Sequence, residues 1–144
     1  MKSCLITGTN KGLGLAFTKW ACDKGYHVFA TSRHEFIDIG ENQSNSVTHI
    51  QADLSESENA VEAIKDIIQD IPLDFIIHNA GQVDAELDSV TYAEAQSTLA
   101  VNMITPIFLT RALISNIKSG EHKKVIFIGS VSGVDGNYLS LIHI

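Results

Sequence analysis

"LITGTNKGLG", residues 5–14, decides the fold. A short apolar run ends in a turn whose glycines fall at Gly8, Gly12 and Gly14, and a helical pattern begins directly behind it. The run "SCLITG" (3–8) reads as a buried strand stopped by glycine. From Gly12, residues Leu13, Ala16, Phe17, Trp20 and Ala21 recur on one helical face, and Gly25 stands where a C-terminal cap glycine belongs. Glycine takes positive φ readily and has no Cβ to block a close approach. Gly8 is therefore expected to turn the chain sharply, and Gly14 to let the helix lie close on the sheet. Gly12 should let phosphate oxygens reach the first helical turn. Unpaired N–H groups and the positive end of the helix dipole favour an anion there. The bland alternative is a tight strand-to-helix turn with no ligand. A strand before it and a helix after it favour a dinucleotide pyrophosphate.

The same alternation continues outward. "YHVFATS" (26–32) reads as a second strand, residues 34–46 as a polar loop, and "VTHIQA" (47–52) as a third strand. Ser55-Glu56-Ser57-Glu58 has the pattern of a capping box ahead of Val61, Ile64, Ile67, Ile68 and Ile71 at helical spacing. Pro72 closes that helix, and "LDFIIH" (73–78) is a fourth strand. Thr91 and Glu94 frame a second capping box. It opens one long helix running to about Lys118, with Val101, Ile104, Phe108 and Leu113 expected inward. "KVIFIG" (124–129) is a fifth strand. Strands with nearly continuous apolar character alternating with helices predict an α/β fold, a parallel sheet covered on both faces. Ligands of such sheets bind beyond the carboxyl ends of the strands. Every unusual cluster falls there: Gly8 to Gly12, Ser32-Arg33, Asp53-Leu54, Asn79-Ala80-Gly81 and Ser130.

Composition narrows the classes. The chain has 144 residues, one domain by length, with 44% apolar residues and a net charge of −7. That charge argues against a nucleic-acid or anionic-membrane surface, since both call for a basic face. Cys4 and Cys22 have neither metal nor redox spacing and read as reduced thiols of a cytoplasmic protein. No metal site is expected. The apolar run before Gly8 is too short for a signal peptide, and no run reaches transmembrane length.

In order and spacing, "TGTNKGLG" (7–14), "ADL" (52–54), "HNAG" (78–81), "VNMITP" (101–106) and "VIFIGSVSG" (125–133) resemble the short-chain dehydrogenase/reductase family. The "TGTNKGLG" form is most similar to its carbonyl-reductase and C-factor-like branches. The resemblance covers residues 4 to about 133. It implies a Rossmann-type, three-layer, doubly wound sheet of order 3-2-1-4-5, here without the last family strands. It also implies a nicotinamide dinucleotide, hydride transfer at a carbonyl or alcohol carbon of a small molecule, and a homo-oligomer for the full-length protein. Carried over residue by residue, Gly8, Asn10, Lys11, Gly12, Leu13 and Gly14 would hold the pyrophosphate and adenosine phosphate. Asp53 would accept from the adenine amino group, with the Leu54 backbone meeting the ring. The alternative for Asp53 is a helix-leading carboxylate near Ser55. Asn79, Ala80 and Gly81 would line the adenine ribose and tie the fourth strand to its neighbours. His78 replaces the family's more usual asparagine and is assigned a structural place only.

The second strand ends in Thr31-Ser32-Arg33 and carries no carboxylate for a ribose 2′-OH. A guanidinium suits a 2′-phosphate, and Lys11 adds a second cation, so NADP(H) is favoured and NAD(H) remains possible. The bland alternative is that both are solvated surface charges. Asn102 and Ser130 match the family's catalytic asparagine and serine. Pro106 has no N–H for the Asn102 carbonyl, so the helix should kink there and free that carbonyl for a water in a proton relay. Ser130 would hydrogen-bond the substrate oxygen. The family's tyrosine and following lysine are not found: Tyr138 is too close to Ser130, and Ile142 stands in the lysine's place. The final "LSLIHI" (139–144) fits no family pattern. It also matches a translated transposase adaptor, so residues 1–138 are read as the dinucleotide-binding domain and 139–144 as a non-native tail; the alternative is a short natural protein with a chance hexapeptide. An apolar edge at 125–128 and no carbonyl reduction by this chain are expected. A non-catalytic dinucleotide-binding or sensing module is the second reading; it would need neither Asn102 nor Ser130.

Overall fold

The structure is a computed structural model and describes residues 2–34, 39, 46–83 and 88–130. Most of the expected 34–46 loop, Tyr138 and the 139–144 tail lie outside the described residues. Five strands form one parallel sheet: β1 (Ser3–Thr7), β2 (His27–Ser32), β3 (Val47–Gln51), β4 (Phe75–His78) and β5 (Lys124–Phe127), in the order β3-β2-β1-β4-β5. The central strand β1 is buried along its whole length and pairs with β2 (Leu5 opposite Phe29) and with β4 (Leu5 opposite Ile76). The helices are α1 (Gly12–Asp23), α2 (Ser57–Ile68), α3 (Tyr92–Leu99), α4 (Thr105–Ala112) and α5 (Ile114–Ser119).

Side chains alternate across the pleat, and this divides the interior in two. Leu5, Phe29 and Ile76 point to one face and pack with Ile64 and Ile68 of α2, Leu109 of α4, and Leu113 and Ile117. Cys4, Ile6, Val28, Ala30, Phe75 and Ile77 point to the other and pack with Ala21 of α1 and Tyr26. This is the expected three-layer doubly wound arrangement. Burial raises the Cys4 thiol far above its ordinary range and raises the part-buried Cys22 thiol as well, which disfavours the thiolate at both.

Three local expectations are corrected. The buried face of α1 is Gly14, Thr18 and Ala21, while Leu13, Ala16 and Trp20 are exposed. Small residues face the sheet because the helix lies so close: a Cβ on Gly14 would stand 2.1 Å from the Gly8 carbonyl oxygen. Trp20 instead leans over the flank of the helix toward Phe75, with ring centroids 6.3 Å apart. No capping box forms at Ser55–Glu58. The Ser55 N–H and hydroxyl both go to Asp53 Oδ1, at 3.0 and 2.8 Å, and α2 starts at Ser57 without a side-chain cap. The box at Thr91–Glu94 does form, in both directions.

The long helix to Lys118 is also broken. A π-helical segment, residues Ala100–Ile104, separates α3 from α4, and the Thr105 N–H reaches back five residues to the Ala100 carbonyl. Pro106 sits in the first turn of α4 and has no N–H to offer the Asn102 carbonyl. The widened turn rotates the face that follows. Ile104 and Phe108 are exposed, and Thr105 and Leu109 turn inward instead. The Thr105 hydroxyl lies 2.7 Å from the Leu54 carbonyl and 2.7 Å from the Ser57 hydroxyl, tying α4 to the start of α2.

Candidate functional site

The carboxyl ends of β1, β2, β3 and β4 open on one cavity of about 530 Å³. Its walls are Gly8, Asn10, Lys11 and Gly12 after β1, Thr31 to His34 at the end of β2, Ala52 and Leu54 after β3, and Asn79 to Val83 after β4, with Val101 at one side. Nine of the residues predicted from sequence therefore meet in one place: Gly8, Asn10, Lys11, Gly12, Arg33, Leu54, Asn79, Ala80 and Gly81.

The turn after β1 is built by backbone bonds to β2. Gly8 and Thr9 both donate their N–H to the Thr31 carbonyl, at 2.9 and 3.1 Å, and the Thr9 hydroxyl donates to the same oxygen at 3.1 Å. Gly8 has φ +71, and a Cβ there would meet the Ala80 backbone at 2.8 Å, so only glycine allows both the turn and the neighbouring loop. From the other side, the Thr7 hydroxyl accepts the N–H groups of Asn79 and Ala80 at 3.1 and 3.0 Å. The Asn79 carboxamide returns two bonds, to the carbonyls of Thr7 (3.0 Å) and Gly8 (3.1 Å). The buried Thr7 and Thr9 were not singled out from sequence. Their partners are backbone groups on other strands, so local pattern carries no trace of them; their place beside Gly8 is the only signal.

Gly12 begins α1 with φ +55 and nothing within 4 Å of where a Cβ would lie. No side chain caps this helix terminus, which leaves its first N–H groups without a capping partner, and Gly12 lines the cavity. Lys11 and Arg33 line the same cavity, and no carboxylate does among the described residues. That local positive balance stands inside a chain of net charge −7. The Thr31 hydroxyl is buried without a partner at this wall. Uncapped N–H groups, two cations and an open glycine surface fit a long, polyanionic, phosphate-bearing molecule.

Five predicted residues lie off the cavity wall. Gly14 is packed between Gly8 and Asn79 and holds α1 against the sheet. Leu13 is half-exposed beside it. Asp53 is exposed, and its Oδ1 is engaged by Ser55. The Ser55 N–H holds this carboxyl below its ordinary range against a smaller opposing effect of burial, helped by the Ser55 hydroxyl and by the charges of Arg33 and His34. This is the helix-leading place that was the alternative for Asp53. Ser130 is exposed just beyond β5. Asn102 sits in the π segment, and its side chain closes on the backbone of Gln82: Oδ1 accepts the Gln82 N–H at 2.9 Å, and Nδ2 donates to the Gln82 carbonyl at 2.7 Å. The Asn102 side chain therefore holds the cavity wall.

His78 is buried, stacked on Phe127 with centroids 4.7 Å apart, and bonded through Nε2 to the Thr110 hydroxyl at 2.8 Å. Burial lowers its pKa to about 4, so the ring is neutral and structural. Among the described residues no helix is long and apolar enough to cross a membrane, and no group of three or more His, Cys, Asp or Glu side chains could hold a metal ion.

Residues 2–141 match the sequence model of the family described as short chain dehydrogenase, and the chain belongs to that family. It is 30% identical over 146 residues to a benzil reductase, (S)-benzoin forming, of Bacillus cereus, covering 92% of this chain and 58% of that protein. Among solved structures it superposes on one described as an NAD(P)-dependent gluconate 5-dehydrogenase of Beutenbergia cavernae, with bound NADP. The TM-score is 0.83 at 22% identity, over 99% of this chain and 59% of that one. A 3-oxoacyl-acyl-carrier-protein reductase of Brucella melitensis in complex with NAD gives a TM-score of 0.77 at 21% identity, over 99% of this chain and 60% of that one. The chain spans about half the length of the curated relatives it matches.

Proposed function

We propose that this chain is the dinucleotide-binding portion of an NADP(H)-dependent oxidoreductase acting on a carbonyl or alcohol carbon of a small molecule. The observation that carries the reading is the uncapped, glycine-lined start of α1 opening on a cavity that also holds Lys11 and Arg33. The backbone N–H groups at Gly12 to Gly14 and the side chain of Lys11 would bind the pyrophosphate. Arg33 would fork onto a ribose 2′-phosphate, which is the basis for NADP(H) over NAD(H). The solved relatives carry either cofactor, so the choice rests on this chain's own cations and on the lack of a cavity carboxylate among the described residues. Asn79, Ala80 and Gly81 would bound the ribose. Asp53 would meet the adenine edge with the oxygen Ser55 leaves open, beside the Leu54 backbone. The nicotinamide, when bound, accepts or donates hydride. Ser130 would hold the substrate oxygen, and the Asn102 carbonyl, beside Pro106, would hold a water.

Binding tests this reading. Calorimetric titration with NADP⁺ and NAD⁺ should show tighter binding of NADP⁺. Arg33→Ala should weaken NADP⁺ by about tenfold or more, the loss expected for a charge-assisted pair, and leave NAD⁺ nearly unchanged. Equal affinities in the unaltered chain, or equal losses in the variant, would overturn the assignment of the 2′-phosphate to Arg33.

A further inference from the structure

Residues 79–83 form one wall of the cavity, and that wall is anchored at both ends. Its start is fixed to β1 through Thr7 and Asn79, as above. Its far end is fixed by the two bonds from Asn102 to the Gln82 backbone. That clamp leaves the Gln82 side chain free for a different task. Its carboxamide reaches across to α3, where Nε2 donates to the Ser97 hydroxyl at 3.0 Å.

The helix it reaches is weakly anchored. α3 has eight residues, Thr98 is its one buried residue, and Tyr92 stands out in solvent. A helix this short is unstable alone in water and holds its shape through tertiary ties. Its own capping box secures one end, and the π segment continues from the other. Among the described residues, Gln82–Ser97 is the side-chain hydrogen bond that joins α3 to the cavity wall.

We propose that Gln82 and Ser97 are positioning residues that couple occupancy of the cavity to the order of α3. The coupling rests on the reading of the cavity as a nicotinamide dinucleotide site. A molecule lying on residues 79–83 narrows the motion of Gln82, keeps its carboxamide aimed at Ser97, and so holds α3 in place. Linkage makes the effect reciprocal: loosening α3 weakens binding in the cavity by the same factor.

Hydrogen exchange read by mass spectrometry on the 144-residue chain, with and without NADP⁺, tests this. In the unaltered chain NADP⁺ should slow exchange in the glycine turn at residues 8–14. It should also slow exchange in α3, there by about 2- to 12-fold, the range for one hydrogen bond. Ser97→Ala and Gln82→Leu should each abolish the α3 response while the glycine turn still responds, and Ser97→Thr, which keeps a hydroxyl, should retain it. A purely structural bond would raise α3 exchange equally with and without NADP⁺. A protected glycine turn with an unresponsive α3, or an unchanged α3 response in Ser97→Ala, would overturn the coupling. No protection of the glycine turn would overturn the dinucleotide reading and the coupling with it.

Discussion

Gly12 and Gly14 lie two residues apart in one motif and face opposite constraints, so replacing each by alanine should separate stability from binding. A Cβ on Gly14 would stand 2.1 Å from the Gly8 carbonyl oxygen, 2.8 Å from its carbon and 2.6 Å from Asn79 Nδ2. None of these can swing away. Two are backbone atoms, and the Asn79 carboxamide is itself held on the carbonyls of Thr7 and Gly8. Reaching an ordinary contact distance moves α1 away from β1 by roughly 1 Å, and a gap of that size forfeits about a quarter to a half of the dispersion contact beneath Thr18 and Ala21. We expect a loss of about 3 kcal/mol, the upper part of the overpacking range, or a fall in Tm of about 6–12 °C for a domain of this size. A Cβ on Gly12 would meet nothing within 4 Å, and only the positive φ of +55 costs energy. That variant should lose about 1 kcal/mol and lose dinucleotide affinity, because its methyl group stands where phosphate would lie. Urea melts followed by circular dichroism, paired with calorimetric titration of NADP⁺, read both quantities. A Gly14→Ala chain within about 0.5 kcal/mol of the parent, or a Gly12→Ala chain that is the less stable of the two, would refute the reasoning.

Further outcomes follow from single contacts. His78 is neutral in the folded chain with a pKa of about 4, against about 6.5 in the unfolded chain. Below pH 6.5 the unfolded chain takes up the proton first, so this contribution is complete above pH 6.5 and is lost as pH falls toward 4. Urea melts at pH 7 and pH 5 should therefore differ by about 2 kcal/mol more in the parent than in His78→Asn; equal differences would contradict the burial of a neutral ring. Asn102→Leu strips both partners from the Gln82 backbone and should cost about 2 kcal/mol, read by the same melts; no loss would mean the clamp carries no stability. Thr91→Ala removes the acceptor of the capping box and should cost about 1 kcal/mol, concentrated in faster amide exchange at the start of α3.

The α/β order, the strand positions and the strand-end location of the site were legible because they rest on local signals. Apolar runs mark strands, glycine marks the turn after β1, and Thr91 with Glu94 satisfies each other within one turn. What failed to read involves competition or distance. The face of α1 departs from its apolar pattern: large apolar residues usually point inward, and here the 2.1 Å approach at Gly14 admits only small ones. Ser55 looked like a cap, but the nearer carboxylate of Asp53 takes both of its donors. Pro106 announced a break near Asn102, yet the π turn that results rotates Ile104 and Phe108 outward, and helical spacing cannot anticipate the extra residue. Within the site, glycines and cations could be read from their types. Thr7, Gln82 and Ser97 could not, since each acts through a partner 15 to 73 residues away in sequence.

The central claim is that phosphates sit on the amides that open α1. Amide-resolved NMR titration of the chain with NADP⁺ tests it most directly. The account predicts the largest shifts at Gly12, Leu13 and Gly14, with Arg33 moving less when NAD⁺ is used instead. A spectrum of a folded chain in which those three amides stay still while NADP⁺ is added would contradict it.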